Sequence, residues 1–148
     1  AADLDRARRE WAVLEPLVCS RTAFEAAFPG ADVQPIHGDA PSYNIIVTPE
    51  GELCSDFEYV TLGPVERDLT LAGPQDQAAY DAAAAELRLR PLDERLLRVM
   101  ESAGMLQAVA CLALVPQLPL LAEGLRPLLD HWRTMPLAGG LEETGSQR

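Results

Sequence analysis

Lysine is absent from this chain. All twelve basic residues among its 148 are arginine, against 23 Asp and Glu, for a formal net charge of −11 and an isoelectric point near 4.5. That balance argues against nucleic acid or an anionic membrane as partner and suits a cationic ligand, or simply an acidic solvated surface. A glycine-rich phosphate loop is missing as well: the ten glycines never form a G-x-G-x-x-G pattern. Cysteine is scarce, and Cys19, Cys54 and Cys111 are spread without paired metal spacing, so a reduced, cytoplasmic setting is expected over a disulfide framework or zinc site. The N-terminus lacks the basic-then-apolar order of a signal peptide. One apolar run, residues 105–122, approaches the ~20 residues a bilayer requires. Gln107, Pro116, Gln117 and Pro119 interrupt it, and a buried core helix followed by a second helix is expected instead.

What is present is concentrated in residues 35–58. Asp39 precedes Asn44 by five residues, the offset at which a kinase catalytic loop places its substrate-hydroxyl base and a magnesium ligand, and Asp56 follows where a second metal-holding Asp belongs. Phosphoryl transfer asks little covalent work of a protein. It needs a carboxylate beside the attacking hydroxyl and oxygen ligands that hold Mg²⁺ against the triphosphate. A short strand over 34–37 would present Asp39 on a tight loop. The β-rich run Ile45-Ile46-Val47-Thr48 would fix Asn44 at the cleft rim, Pro49-Glu50-Gly51-Glu52 reads as a hairpin turn, and the next strand would deliver Asp56. Taken singly, Asp39 is also compatible with a turn Asp and Asn44 with a strand-entry cap. Taken together, His37, Gly38, Asp39, Asn44, Asp56 and Phe57 would coincide by chance at on the order of one start in ten million.

The run HGDxxxxN followed by DFE resembles the C-terminal lobe of the aminoglycoside phosphotransferase family, which includes choline and other small-molecule kinases with a protein-kinase-like fold. The resemblance is densest over residues 35–69, where His37, Gly38, Asp39, Asn44, Asp56, Phe57, Gly63, Pro64, Asp68 and Leu69 fall in order. The chain departs from the family pattern at Ala40-Pro41 and at Ser42-Tyr43, while the ligand-bearing side chains stay in place. The resemblance implies an α+β, mostly helical fold, a protein-kinase-like C-terminal lobe with a small β-hairpin catalytic region. It implies Asp39 as the catalytic base, Asn44 and Asp56 as Mg²⁺ ligands, and ATP or GTP as phosphoryl donor. The acceptor would be a small-molecule hydroxyl, aminoglycoside-like or another cationic or amino alcohol such as choline. His37 is expected to support the loop by packing and hydrogen bonding, and Asp68 to anchor a loop or cap a helix. Glu58 suits a metal, a cationic substrate or plain solvation equally.

A complete kinase also needs a lysine and a covering loop for the phosphates. Neither occurs here, and the first 33 residues hold no alternating strand run. The N-terminal nucleotide lobe is therefore expected to be missing, encoded ahead of Ala1 or supplied by a partner, and the isolated chain to be inactive. The rival expectation is a catalytically silent lobe that serves as a binding or assembly module.

The rest of the chain reads as one domain over 1–137, with the catalytic loop at 35–58, a helical part at 68–133 and a disordered tail at 138–148. Leu4, Ala7, Trp11, Leu14 and Leu17 recur at helical spacing over 3–18, and a short helix over 22–28 closes at Pro29-Gly30. Further helices are expected at 76–89, 93–115 and 118–132, with breaks at Pro91, Pro116 and Pro119. A lobe lacking its partner would leave Trp11, Leu14 and the strand 45–47 near water, favouring a two-fold homodimer or cover by the first helix.

Overall fold

The computed structural model describes residues 2–40 and 44–141, so Pro41, Ser42, Tyr43 and the tail beyond Leu141 lie outside the described residues. The fold is α+β and mostly helical, with two small antiparallel sheets. Among the described residues two α-helices precede four short strands and three α-helices follow them: α1 (Ala2–Val18), α2 (Arg21–Ala27), β1 (Gln34–Ile36), β2 (Ile45–Thr48), β3 (Gly51–Cys54), β4 (Thr61–Gly63), α3 (Pro74–Glu86), α4 (Glu94–Cys111) and α5 (Leu121–Thr134). The chain divides into two compact units, one drawn from Ala1–Pro29 with Arg98–Arg148 and the other from Gly30–Leu97.

The helix boundaries follow from their capping residues. Ser20 accepts the Ala23 amide at 3.2 Å and opens α2. Pro74 sits at the first turn of α3, where its missing N–H costs nothing, and the Asp76 carboxylate returns to the Gly73 amide. At the other end of α3, Arg88 takes a left-handed φ of 57° while Leu89 and Arg88 donate to the carbonyls of Ala84 and Ala85. Those paired bonds close a Schellman turn with arginine in the place usually held by glycine. Asp93, expected as the first residue of a helix, is instead its cap, with one carboxylate oxygen accepting the amides of Arg95 and Leu96, both at 2.9 Å.

In the first unit, Met105 and Val109 of α4 pack with Leu125, Leu129 and Trp132 of α5. The apolar stripe of α1 is only partly used. Leu14 is fully buried, contrary to its expected place near water, whereas Trp11 stays 44% exposed. The other fully buried residue of α1 is Glu10, whose carboxylate accepts the indole N–H of Trp132 and the amide of Ala138. Arg6, one helical turn away, lies with its guanidinium 4.8 Å from the Trp132 ring centroid. Residues 138–141, expected to be disordered, instead belong to a 3-10 turn over 137–141 with Ala138 buried. Leu4, Ala7 and Trp11 face Leu106 and Ala110 across an apolar groove of about 860 Å³.

Residues 105–122 do not form one helix. Pro116 and Pro119 lack amide protons, so α4 gives way to a 3-10 turn at Leu112–Leu114 and α5 begins only at Leu121. Glu94–Leu114 is nevertheless long and apolar enough, by length and composition, to cross a membrane. In the fold, Leu96, Val99, Met100, Met105 and Val109 of that stretch are buried.

In the second unit β2 and β3 form a hairpin, with Ile45 opposite Cys54 and Thr48 opposite Gly51. Its turn lies at Pro49-Glu50, where the Thr48 hydroxyl donates to the Gly51 carbonyl at 2.9 Å. β1 finds an unexpected partner in β4, with Ile36 opposite Thr61 and Gln34 opposite Gly63.

Candidate active site

Every residue singled out for chemistry belongs to the Gly30–Leu97 unit, where hydrogen bonds join the segment after β1 to the segment after β3. The first leaves β1 after the buried Ile36 and turns through His37, Gly38 and Asp39. Asp68 holds this turn: its two carboxylate oxygens accept the amides of His37 at 2.7 Å and Gly38 at 2.8 Å. Bonds to a charged acceptor contribute about 1.5–3 kcal/mol each. Gly38 has a φ of +83°, and a Cβ there would run into the Tyr59 carbonyl, so only glycine lets the two segments approach this closely.

The second segment follows β3. The hairpin register continues one step beyond Ile45 and Cys54, so that the Ser55 amide at 2.9 Å and its hydroxyl at 3.0 Å both donate to the Asn44 carbonyl. Asp56 comes next, in a left-handed conformation with φ 64° and ψ 56°, and starts a 3-10 turn at Phe57–Tyr59. That backbone well costs an L-residue roughly 1–2 kcal/mol, and Asp tolerates it better than most. Strain of this kind collects at functional sites.

His37 links the segments. Its Nε2 lies 2.8 Å from the Ser55 carbonyl, and its ring centroid is 4.9 Å from that of Phe57. A carbonyl only accepts, which assigns the ring proton to Nε2 and turns the Nδ1 lone pair toward the Asp39 amide at 3.4 Å. Asn44 is buried and donates through Nδ2 to the Asp39 carbonyl at 2.9 Å and, at the 3.5 Å limit, to Asp39 Oδ2. With Nδ2 so engaged, Oδ1 is the amide atom left to act as a ligand.

Thus Asp39 and Asn44 touch, Asp56 stands one residue beyond the backbone partner of Asn44, and His37 and Asp68 occupy supporting positions. Asp39 is half-buried, while Asp56 and Glu58 are exposed. Among the described residues no group of three or more His, Cys, Asp or Glu side chains is arranged to hold a metal ion. A kinase-type Mg²⁺ asks less of the protein, because substrate phosphates and water complete its oxygen shell. The hard oxygens of Asn44 Oδ1 and the Asp56 carboxylate fit that donor chemistry.

Ser55 and the Tyr59 backbone were not among the expected site residues. The hydroxyl immediately before Asp56 was the available signal for the first, and nothing local announced the second. A further ion pair lies close to Asp68 in sequence. Glu66, two residues earlier and fully buried, accepts bonds from both Nη atoms of Arg90 and from the Asp93 amide at 2.9 Å. Burial pushes the Glu66 carboxyl up, but the Arg90 and Asp93 bonds outweigh it and hold it below the ordinary carboxylate range.

Comparison with family models, curated proteins and solved structures returned no match to this chain.

Proposed function

We propose that residues 35–58 are the catalytic half-site of a small-molecule phosphotransferase of the aminoglycoside phosphotransferase type, within a kinase-like C-terminal lobe. The observation that carries this reading is the contact of a half-buried Asp39 with the Asn44 amide, together with a strained and exposed Asp56 that directly follows Ser55, the partner of the Asn44 carbonyl. Asp39 is the general base: its carboxylate takes the proton of the acceptor hydroxyl as that oxygen bonds to the γ-phosphorus of ATP or GTP and the bond from that phosphorus to the β,γ-bridging oxygen breaks, releasing ADP or GDP. Asn44 and Asp56 would hold Mg²⁺, which when bound neutralises charge on the phosphate oxygens. The Asn44 side chain also donates to Asp39, orienting the base. An acidic surface with Glu50, Glu52 and Glu58 exposed supports a cationic alcohol as acceptor and a cytoplasmic setting.

The silent-module reading draws on the absence of lysine, since nothing in the chain supplies the ammonium that pairs with the phosphates. Exposed Ile46, Val47 and Leu53 support self-association under either reading. The test is γ-phosphoryl transfer from ATP or GTP to aminoglycosides and amino alcohols, by the chain alone and with a nucleotide-binding lobe joined ahead of it. Asp39→Asn should lower the single-turnover rate of the joined form about 10²- to 10⁴-fold. Near-normal turnover would exclude Asp39 as base.

A further inference from the structure

We infer that Ser55 is a positioning residue that sets the metal-ligand pair against the base, an inference that rests on the phosphotransferase reading. Four residues close a ring of hydrogen bonds. The Asp39 amide donates to His37 Nδ1, His37 Nε2 donates to the Ser55 carbonyl, Ser55 donates twice to the Asn44 carbonyl, and Asn44 Nδ2 donates to the Asp39 carbonyl. Three members of this ring already have work in the site: Asp39 as base, Asn44 as ligand and His37 as the bridge between segments. Ser55 is the member through which the ring reaches Asp56, because the two are neighbours in sequence.

Its contribution is specific to the hydroxyl. The Ser55 amide bond to Asn44 at 2.9 Å continues the β2–β3 ladder and would survive any side chain. The Oγ bond at 3.0 Å to the same carbonyl is additional, and it fixes the Ser55 side chain toward Asn44. The turn from Ser55 into the left-handed Asp56 is where the backbone is most able to relax, since Asp56 gains by leaving that conformation. A second bond from Ser55 to Asn44 opposes that relaxation at the residue immediately before Asp56. Ser55 touches no substrate in this account and acts through Asn44 and Asp56.

The experiment titrates Mn²⁺, a paramagnetic stand-in for Mg²⁺, into the full isotope-labelled chain and follows amide line broadening, a readout independent of turnover and suited to millimolar binding. In the wild type, broadening should centre on the amides of Asn44, Ser55 and Asp56. Ser55→Ala should keep a dispersed spectrum yet need at least fivefold more Mn²⁺ for the same broadening, and Ser55→Thr, which retains a hydroxyl, should titrate within twofold of wild type. Unchanged titration in Ser55→Ala overturns the role of Ser55 and leaves the phosphotransferase reading standing. Wild-type broadening that avoids Asn44 and Asp56 overturns both. If Ser55→Ala loses its fold, Ser55→Thr decides: a loss beyond fivefold in a dispersed spectrum sinks the inference.

Discussion

Replacing Arg90 by methionine should destabilise the Gly30–Leu97 unit by several kcal/mol, and by a mechanism that pH can identify. Glu66 is fully buried and Arg90 is 22% exposed at its side chain. The variant leaves the Glu66 carboxylate with the Asp93 amide but without the two guanidinium bonds. Breaking one partner of a buried ion pair costs about 3–5 kcal/mol. Water reaching the partly open Arg90 site sets the expected loss near 3 kcal/mol, a fifth or more of the 5–15 kcal/mol that holds a typical domain. Both tryptophans lie in the other unit, so fluorescence would miss the change. Native-state hydrogen exchange at the slow amides of α3 reads it instead, with an expected acceleration of about 10²-fold. In the wild type the Glu66 carboxyl is held below its ordinary value of 4.5. Its pair therefore contributes fully above that pH, and the contribution is lost as pH falls through the lower folded value. In Arg90→Met burial outweighs the remaining Asp93 bond and raises the carboxyl, so acidification from neutral pH should raise the protection factors beyond the intrinsic slowing of amide exchange. Glu66→Gln added to Arg90→Met removes the charge, keeps an oxygen for the Asp93 amide, and should recover at least half the loss. A single variant within about 1 kcal/mol of wild type at pH 7, or one with the wild-type pH slope, would refute this account of the pair.

Asp68→Ala removes the acceptor of the His37 and Gly38 amides, and exchange at those two amides should accelerate about 10- to 10²-fold, as the loss of a bond to a charged group predicts; unchanged rates would mean the loop is held elsewhere. Gly38→Ala combines a positive φ with a collision against the Tyr59 carbonyl, so the unit should lose at least about 1–3 kcal/mol by urea denaturation followed by circular dichroism, and an equal midpoint would contradict the close approach. Glu10→Ala orphans the Trp132 indole N–H and the Ala138 amide, each worth about 1–3 kcal/mol when buried and unpaired. Tryptophan fluorescence during urea unfolding should show the drop, and a shift below about 1 kcal/mol would imply that water replaces the carboxylate.

Local structure was legible in the sequence where it is set by neighbours along the chain. The spacing of Asp39, Asn44 and Asp56 placed a turn, a strand entry and a hairpin exit in order, because the β2–β3 hairpin pairs residues close in sequence. Helix starts at Ser20 and Pro74 were legible within a residue or two for the same reason. β4 was not, since Thr61-Leu62-Gly63 is too short to alternate and gains strand form only from β1 far upstream. Nor was the buried state of Glu10, whose partners Trp132 and Ala138 lie at the far end of the chain. A glutamate in the first helix reads as solvated until those partners are known. Arg88 at a left-handed helix end shows the converse, with a turn completed by backbone bonds where the usual glycine signal was missing.

The left-handed backbone of Asp56 sets stability and chemistry against each other at one position. Glycine would occupy the same φ and ψ without steric penalty, so a directed-evolution screen for heat resistance alone would favour Asp56→Gly and gain a fraction of a kcal/mol up to about 1. The same change deletes the carboxylate. Thermal hardening of this chain would thus proceed through a variant that folds better and has lost one of the two proposed metal ligands, and any selection for a robust scaffold must score metal response alongside melting.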